Sequence, residues 1–121
     1  MSVHVSVETF YIDAQSDVQA DRYVFAYTIT INNLGSQSVQ LLRRYWKITD
    51  ANGKVSEVHG DGVVGEQPNL APNERYTYTS GAVLETPVGT MQGHYEMVDA
   101  DGAELVVPIP LFRLAVPGVL N

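Results

Sequence analysis

Cysteine is absent from this 121-residue chain, which removes two classes of site at once, the disulfide framework and the thiolate-bound metal. A chain without cysteine fits a reducing compartment, and the cytoplasm is the expected location. Basic residues are scarce. Seven Lys and Arg face fourteen Asp and Glu, for a formal charge of −7, which repels nucleic acid and anionic lipid over most of the surface and favours a basic partner. No apolar run approaches bilayer length, and residues Met1 to Glu8 lack a basic patch followed by an apolar core, so neither membrane contact nor a secretory leader is expected. A sustained helical period is missing too. The length suits one domain, residues 1–121, that buries roughly two-thirds of its unfolded surface.

Period-two alternation is what the chain has in quantity. Val3, Val5 and Val7 alternate with His4, Ser6 and Glu8, predicting a strand from Val3 to Tyr11 with one buried face. Tyr23, Phe25, Tyr27, Ile29 and Ile31 share a face of a stronger strand ending at Asn32. A third, Gln40 to Asp50, turns Leu42, Trp46 and Ile48 inward and Arg43, Tyr45 and Lys47 outward. Arg44 falls on the inward parity and so needs a partner or a place near a strand end. The Asn52-Gly53 pair is a tight-hairpin signal that returns Val55 to Val58 antiparallel. Strands over Arg75 to Ser80, Met91 to Val98 and Glu104 to about Phe112 follow, with Asp99-Ala100-Asp101-Gly102 turning between the last two.

About seven short antiparallel strands without helix or repeat predict an all-β fold, two sheets packed as an immunoglobulin-like or fibronectin III-like sandwich, with a small barrel as the alternative. Trp46 fits the buried tryptophan such sandwiches carry. Pro108 and Pro110 place the last strand at an edge, where a missing N–H is tolerated. The ordered core is expected over about residues 3–113, with 114–121 as a tail that stays loose or covers an edge of a partner or a second copy.

One stretch conflicts with this all-strand pattern. His59-Gly60-Asp61-Gly62-Val63-Val64-Gly65-Glu66 spells GxGxxG at Gly60, Gly62 and Gly65, a dinucleotide-loop fingerprint. That loop works by leading a strand into a helix whose free N–H groups hold the pyrophosphate. Here Pro68, Pro72 and the alternation from Tyr76 to Thr79 leave no helix to follow. Successive N–H groups in a turn can still make an anion nest, with His59 as an added donor, whereas Asp61 and Glu66 oppose a pyrophosphate. The preferred reading is structural: the glycines supply positive φ or a bulge at a connection between sheets, and Val63 and Val64 anchor it on the core. A phosphate loop of His59, Gly60, Gly62 and Gly65 stands as the alternative.

Other chemistry is thinly represented. His4, His59 and His94 lie on separate segments without metal-ligand spacing, and Asp99, Asp101 and Gly102 give only a fragment of a calcium loop, so no metal and no cofactor are expected. No Gly-x-Ser-x-Gly elbow is present and Thr79-Ser80-Gly81 has no nearby His in sequence, so an enzyme is not expected.

Four segments carry a family resemblance. Arg44-Tyr45-Trp46-Lys47-Ile48-Thr49-Asp50, Gly62-Val63-Val64-Gly65-Glu66-Gln67-Pro68, Tyr78-Thr79-Ser80-Gly81 and Thr86-Pro87-Val88-Gly89-Thr90-Met91 resemble the bacterial ApaG family in order and spacing. The resemblance implies a fibronectin III-like sandwich, a domain type also appended to F-box proteins and to a DNA-polymerase-delta-interacting protein. It implies no established activity, only a gene neighbourhood with a diadenosine tetraphosphate hydrolase and a ribosomal-RNA methyltransferase, and a link to cobalt and magnesium tolerance. Two positions depart from the family pattern: Tyr45, where it has His before the Trp, and Asn73, where it has Gly before the Glu. The first detracts from a metal or proton role there; the second alters a turn.

The expected function is therefore a non-catalytic module mediating protein–protein interaction, with the outward residues Arg43, Tyr45 and Lys47 as its contact face and a partner whose identity the chain does not name. A weak homodimer is compatible with the same pattern. The alternative is a pyrophosphate or nucleotide binder linked to diadenosine polyphosphates.

Overall fold

Alternating side chains build two antiparallel sheets, described by the computed structural model for residues 2–119. The strands are β1 (Val3–Tyr11), β2 (Tyr23–Asn33), β3 (Val39–Asp50), β4 (Val55–Asp61), β5 (Asn69–Leu70), β6 (Arg75–Leu84), β7 (Val88–Asp99) and β8 (Glu104–Ala115). One sheet has the order β1-β2-β6; the other is β4-β3-β7-β8, with β5 paired to the start of β3. This is the sandwich of the fibronectin III type that the alternation predicts. The two-residue β5 is too short for any period to reveal. Buried Asn33 fixes it: Nδ2 donates to the carbonyls of Gln37 (2.8 Å) and Leu70 (3.0 Å), and Oδ1 accepts from the Gly35 amide (3.0 Å).

The core follows the period. Tyr23, Phe25, Tyr27, Ile29 and Ile31 are all buried along β2, facing Trp46, Met91, Tyr95, Val107 and Leu114 of the other sheet. Trp46 meets Tyr27 and Phe112 edge-on, with ring centroids 5.4 and 5.7 Å apart, the geometry favoured by aromatic quadrupoles.

Two bulges break the parity that a simple alternation assumes. In β3, Leu41 pairs with Met97 and Arg43 with Glu96, leaving Leu42 as an extra residue. Val39 and Leu41 therefore face the core before the bulge and Trp46 faces it after, while Leu42, expected inward, is only half-buried. In β8, Met91 pairs with Phe112 and Gly93 with Ile109, so Pro110 and Leu111 together stand opposite Gln92. A bulge suits Pro110, which has no N–H to offer a ladder. β8 lies at the sheet edge, as its prolines require. It does not stop near Phe112: the shifted register carries Leu114 to full burial opposite Gly89, so the core extends beyond residue 113. Of the expected tail, Leu120 and Asn121 lie outside the described residues.

The two sides of the sandwich differ. β1 packs along β8 and closes one. The other, between the edges β4 and β6, holds clefts that reach between the sheets. No helix among the described residues is long and apolar enough to cross a membrane.

Candidate functional site

β3 carries candidate site residues on both of its faces. Arg43, Tyr45 and Lys47 alternate on the outward face, as their parity predicts. The sheet order adds what the sequence leaves hidden, because Tyr45 stands directly opposite His59 on β4 and His94 on β7. The three rings form a row across three strands, with centroids 4.8 Å and 5.1 Å from that of Tyr45. The Tyr45 hydroxyl donates to Glu57 Oε2 (2.6 Å), and that carboxylate pushes the phenol above its ordinary value. Arg43 Nε donates to Glu96 Oε1 (2.7 Å), and Arg43 Nη2 lies 3.6 Å from Glu104. The guanidinium in turn holds the Glu96 carboxyl below its usual range. Arg43 thus has its charge matched, while Lys47 forms no ion pair among the described residues. A shallow groove of about 410 Å³ runs beside the row, between Tyr45, Lys47, His94 and Pro108.

The glycine segment is a strand end followed by a tight turn. Gly60 lies inside β4 opposite Arg44. Val63 and Glu66 exchange both backbone hydrogen bonds (2.8 and 2.9 Å) around Val64 and Gly65, whose φ values of 48° and 80° are those of a type I′ turn. Gly62 is required in its place, since its φ is 64° and an added Cβ would meet the Glu66 carbonyl at 2.3 Å. The amides of Gly62, Val63 and Glu66 already have carbonyl partners, and β5 and β6 follow rather than a helix. Val63 is fully buried, as an anchor should be, but Val64 is 63% exposed. The left-handed turn aims Val64 into water, so only one of the two valines anchors the loop. His59 belongs to the ring row, away from the turn. Asn73 also takes a left-handed φ, 68°, which Asn tolerates better than most residues.

Arg44 finds the partner its parity demands. Its Nη1 donates to the carbonyls of Asp61 (3.0 Å) and Gly62 (2.9 Å). Gly60 makes this possible, because a Cβ there would sit 2.7 to 2.8 Å from the guanidinium atoms. The guanidinium lies in a cleft of about 300 Å³ whose walls include Tyr27, Trp46, Tyr78, Ser80 and the Val63-to-Gly65 turn. Three of the four segments that carry the family resemblance converge there. Deeper in, Tyr78 and Tyr95 hydrogen-bond hydroxyl to hydroxyl between the sheets. Burial pushes both phenols up, and that of Tyr27 as well, with the Ser80 side chain beside Tyr27 and then the Arg44 charge pulling partly against it. Among the described residues no group of three or more His, Asp or Glu converges on a possible metal position.

Fold and site together define a fibronectin III-like sandwich with an aromatic outward face and a polar cleft holding Arg44 at its open side. The ApaG domain model matches residues 13–99, and the chain belongs to the ApaG family. Protein ApaG from Enterobacter sp. (strain 638) is 63% identical over 119 residues, covering 98% of this chain and 95% of that one. Protein ApaG from Escherichia coli O1:K1 / APEC is 59% identical over the same shares. A crystal structure described as an ApaA protein from Bordetella pertussis superposes with a TM-score of 0.94 at 50% identity, covering 97% of this chain and 95% of the other.

Proposed function

We propose that the protein is a non-catalytic binding module that engages a protein partner through the outward face of its five-stranded sheet, centred on Tyr45. The observation that supports this reading is the His59–Tyr45–His94 row. Rings held in contact on three neighbouring strands lose little freedom on association, and Tyr with Arg is the composition enriched at interface hot spots. Arg43, Glu96, Glu57 and Lys47 surround the row with charges of both signs, which suits the polar rim of a protein interface better than a phosphate backbone. A pyrophosphate reading of the glycine turn has fewer donors to draw on, because three of its amides are already bonded within the chain.

Replacing Arg43 and Tyr45 together by Ala tests the proposal. In affinity capture from the native cell extract, partners retained by the wild type should be lost. The melting temperature should fall by only about a few degrees, since the removed contacts are surface ones. Capture equal to wild type rejects the assignment.

A further inference from the structure

We propose that the cleft on the β4/β6 side is a binding site for a compact oxyanion, a carboxylate or phosphate group received by the Arg44 guanidinium with Ser80 beside it. This surface lies on the opposite face of β3 from the ring row, so the inference does not rest on the partner reading above. A guanidinium has five N–H donors in a rigid fork. In Arg44, Nη1 is bound by two neutral carbonyls, and Nε and Nη2 make no hydrogen bond or ion pair among the described residues. The carbonyls fix the position of the group without cancelling its charge. Bare Gly60 lets it lie flat against the strand.

The surroundings suit an anion more than a cation. Arg44 is half-buried, and in a partly dried cleft a charge-assisted bidentate pair is stronger than at an open surface. Ser80, the cross-strand partner of Tyr27, adds a hydroxyl to the same wall. Of the nearby carboxylates, Asp61 lines the cleft at its β4 rim, where it stands opposite Arg43 and shares its charge with that guanidinium, and Glu66 accepts from the Tyr76 hydroxyl (2.7 Å). About 300 Å³ accommodates a carboxylate or phosphate with a small appended group, at the lower end of ligand-pocket sizes. The donors are side chains, unlike those of a glycine-amide nest.

Titrating the full chain with inorganic phosphate, and separately with acetate, at constant ionic strength tests this by amide and arginine Nε–H NMR. Saturable shifts at Arg44 Nε–H, Gly62, Gly65 and Ser80 are expected, with a Kd of about 1 mM or tighter for the better probe. The probe that binds more tightly assigns the group to phosphate or carboxylate. Arg44→Lys keeps the charge and loses the fork, so affinity should drop about tenfold. Ser80→Ala should weaken it about threefold, the loss of one modest hydrogen bond. Tyr45→Ala should leave the titration unchanged, which separates this site from the partner face. Linear drift without saturation, or equal shifts at surface Arg75 and Arg113, overturns the proposal. If Arg44→Lys does not fold, the wild-type titration and Ser80→Ala decide it.

Discussion

The two lateral sides of this sandwich solve the same problem differently. On the β1/β8 side the sheets come together, and the last strand pushes Leu114 to full burial. On the β4/β6 side the sheets stay apart, and polar groups fill the gap: Arg44 between carbonyls, the paired hydroxyls of Tyr78 and Tyr95, and the Lys54–Glu85 bridge (2.9 Å) at one end. Stability is concentrated where apolar area is removed from water, and the proposed anion cleft lies where it is not. One strand serves both ends, since β3 supplies Trp46 to the core and Arg44 to the cleft.

That contrast can be broken most directly by truncation. Leu114→Ala should destabilise the fold by about 2–5 kcal/mol, as deletion of a fully buried leucine does, read from chemical denaturation. Val58→Ala on β4, where the side chain is 38% exposed, should lose less than about 1 kcal/mol. Equal losses would mean that the open side is as tightly built as the closed one. A second probe is alkaline pH. The phenols of Tyr78 and Tyr95 are raised by burial from an ordinary 10.0, so the unfolded chain loses these protons first. Stability from them is complete below pH 10 and falls as pH rises beyond it, by up to about 1.4 kcal/mol per unit for each phenol. Tyr78→Phe with Tyr95→Phe should flatten that alkaline slope in circular-dichroism titrations, whereas Tyr45→Phe, whose phenol is raised only at an exposed carboxylate, should flatten it far less. The smallest effect concerns the turn. Val64 holds a left-handed φ of 48°, which costs a β-branched residue about 1–2 kcal/mol. Val64→Gly should therefore raise the melting temperature modestly, and a fall would show that the exposed valine makes a stabilising contact.

Much of the fold was legible because alternation is a local signal. The buried face of β2, the outward set Arg43, Tyr45 and Lys47, the Asn52-Gly53 hairpin and the edge position of β8 follow from parity and backbone chemistry. Bulges are not local signals. The extra residue at Leu42 obeys the pairing of β3 with β7, and nothing in the β3 sequence announces it. The ring row required knowing that β4 and β7 flank β3, an order set by long-range packing. Parity did flag Arg44 as a problem, and that flag led to the cleft. The three glycines could be read as a motif, yet each answers a separate demand: Gly60 admits a guanidinium, Gly62 avoids a carbonyl, and Gly65 completes a turn.

The bulge at Leu42 acts as a phase switch. Upstream of it odd-numbered side chains enter the interior; downstream the even-numbered ones do. Pairing that leucine regularly opposite Glu96, without the bulge, would slip the downstream half by one residue and rotate it, exchanging tryptophan for tyrosine and one arginine for its neighbour. Anyone transplanting the cleft or the ring row onto another scaffold must therefore keep Arg43 opposite Glu96, because that register sets which chemistry faces which way.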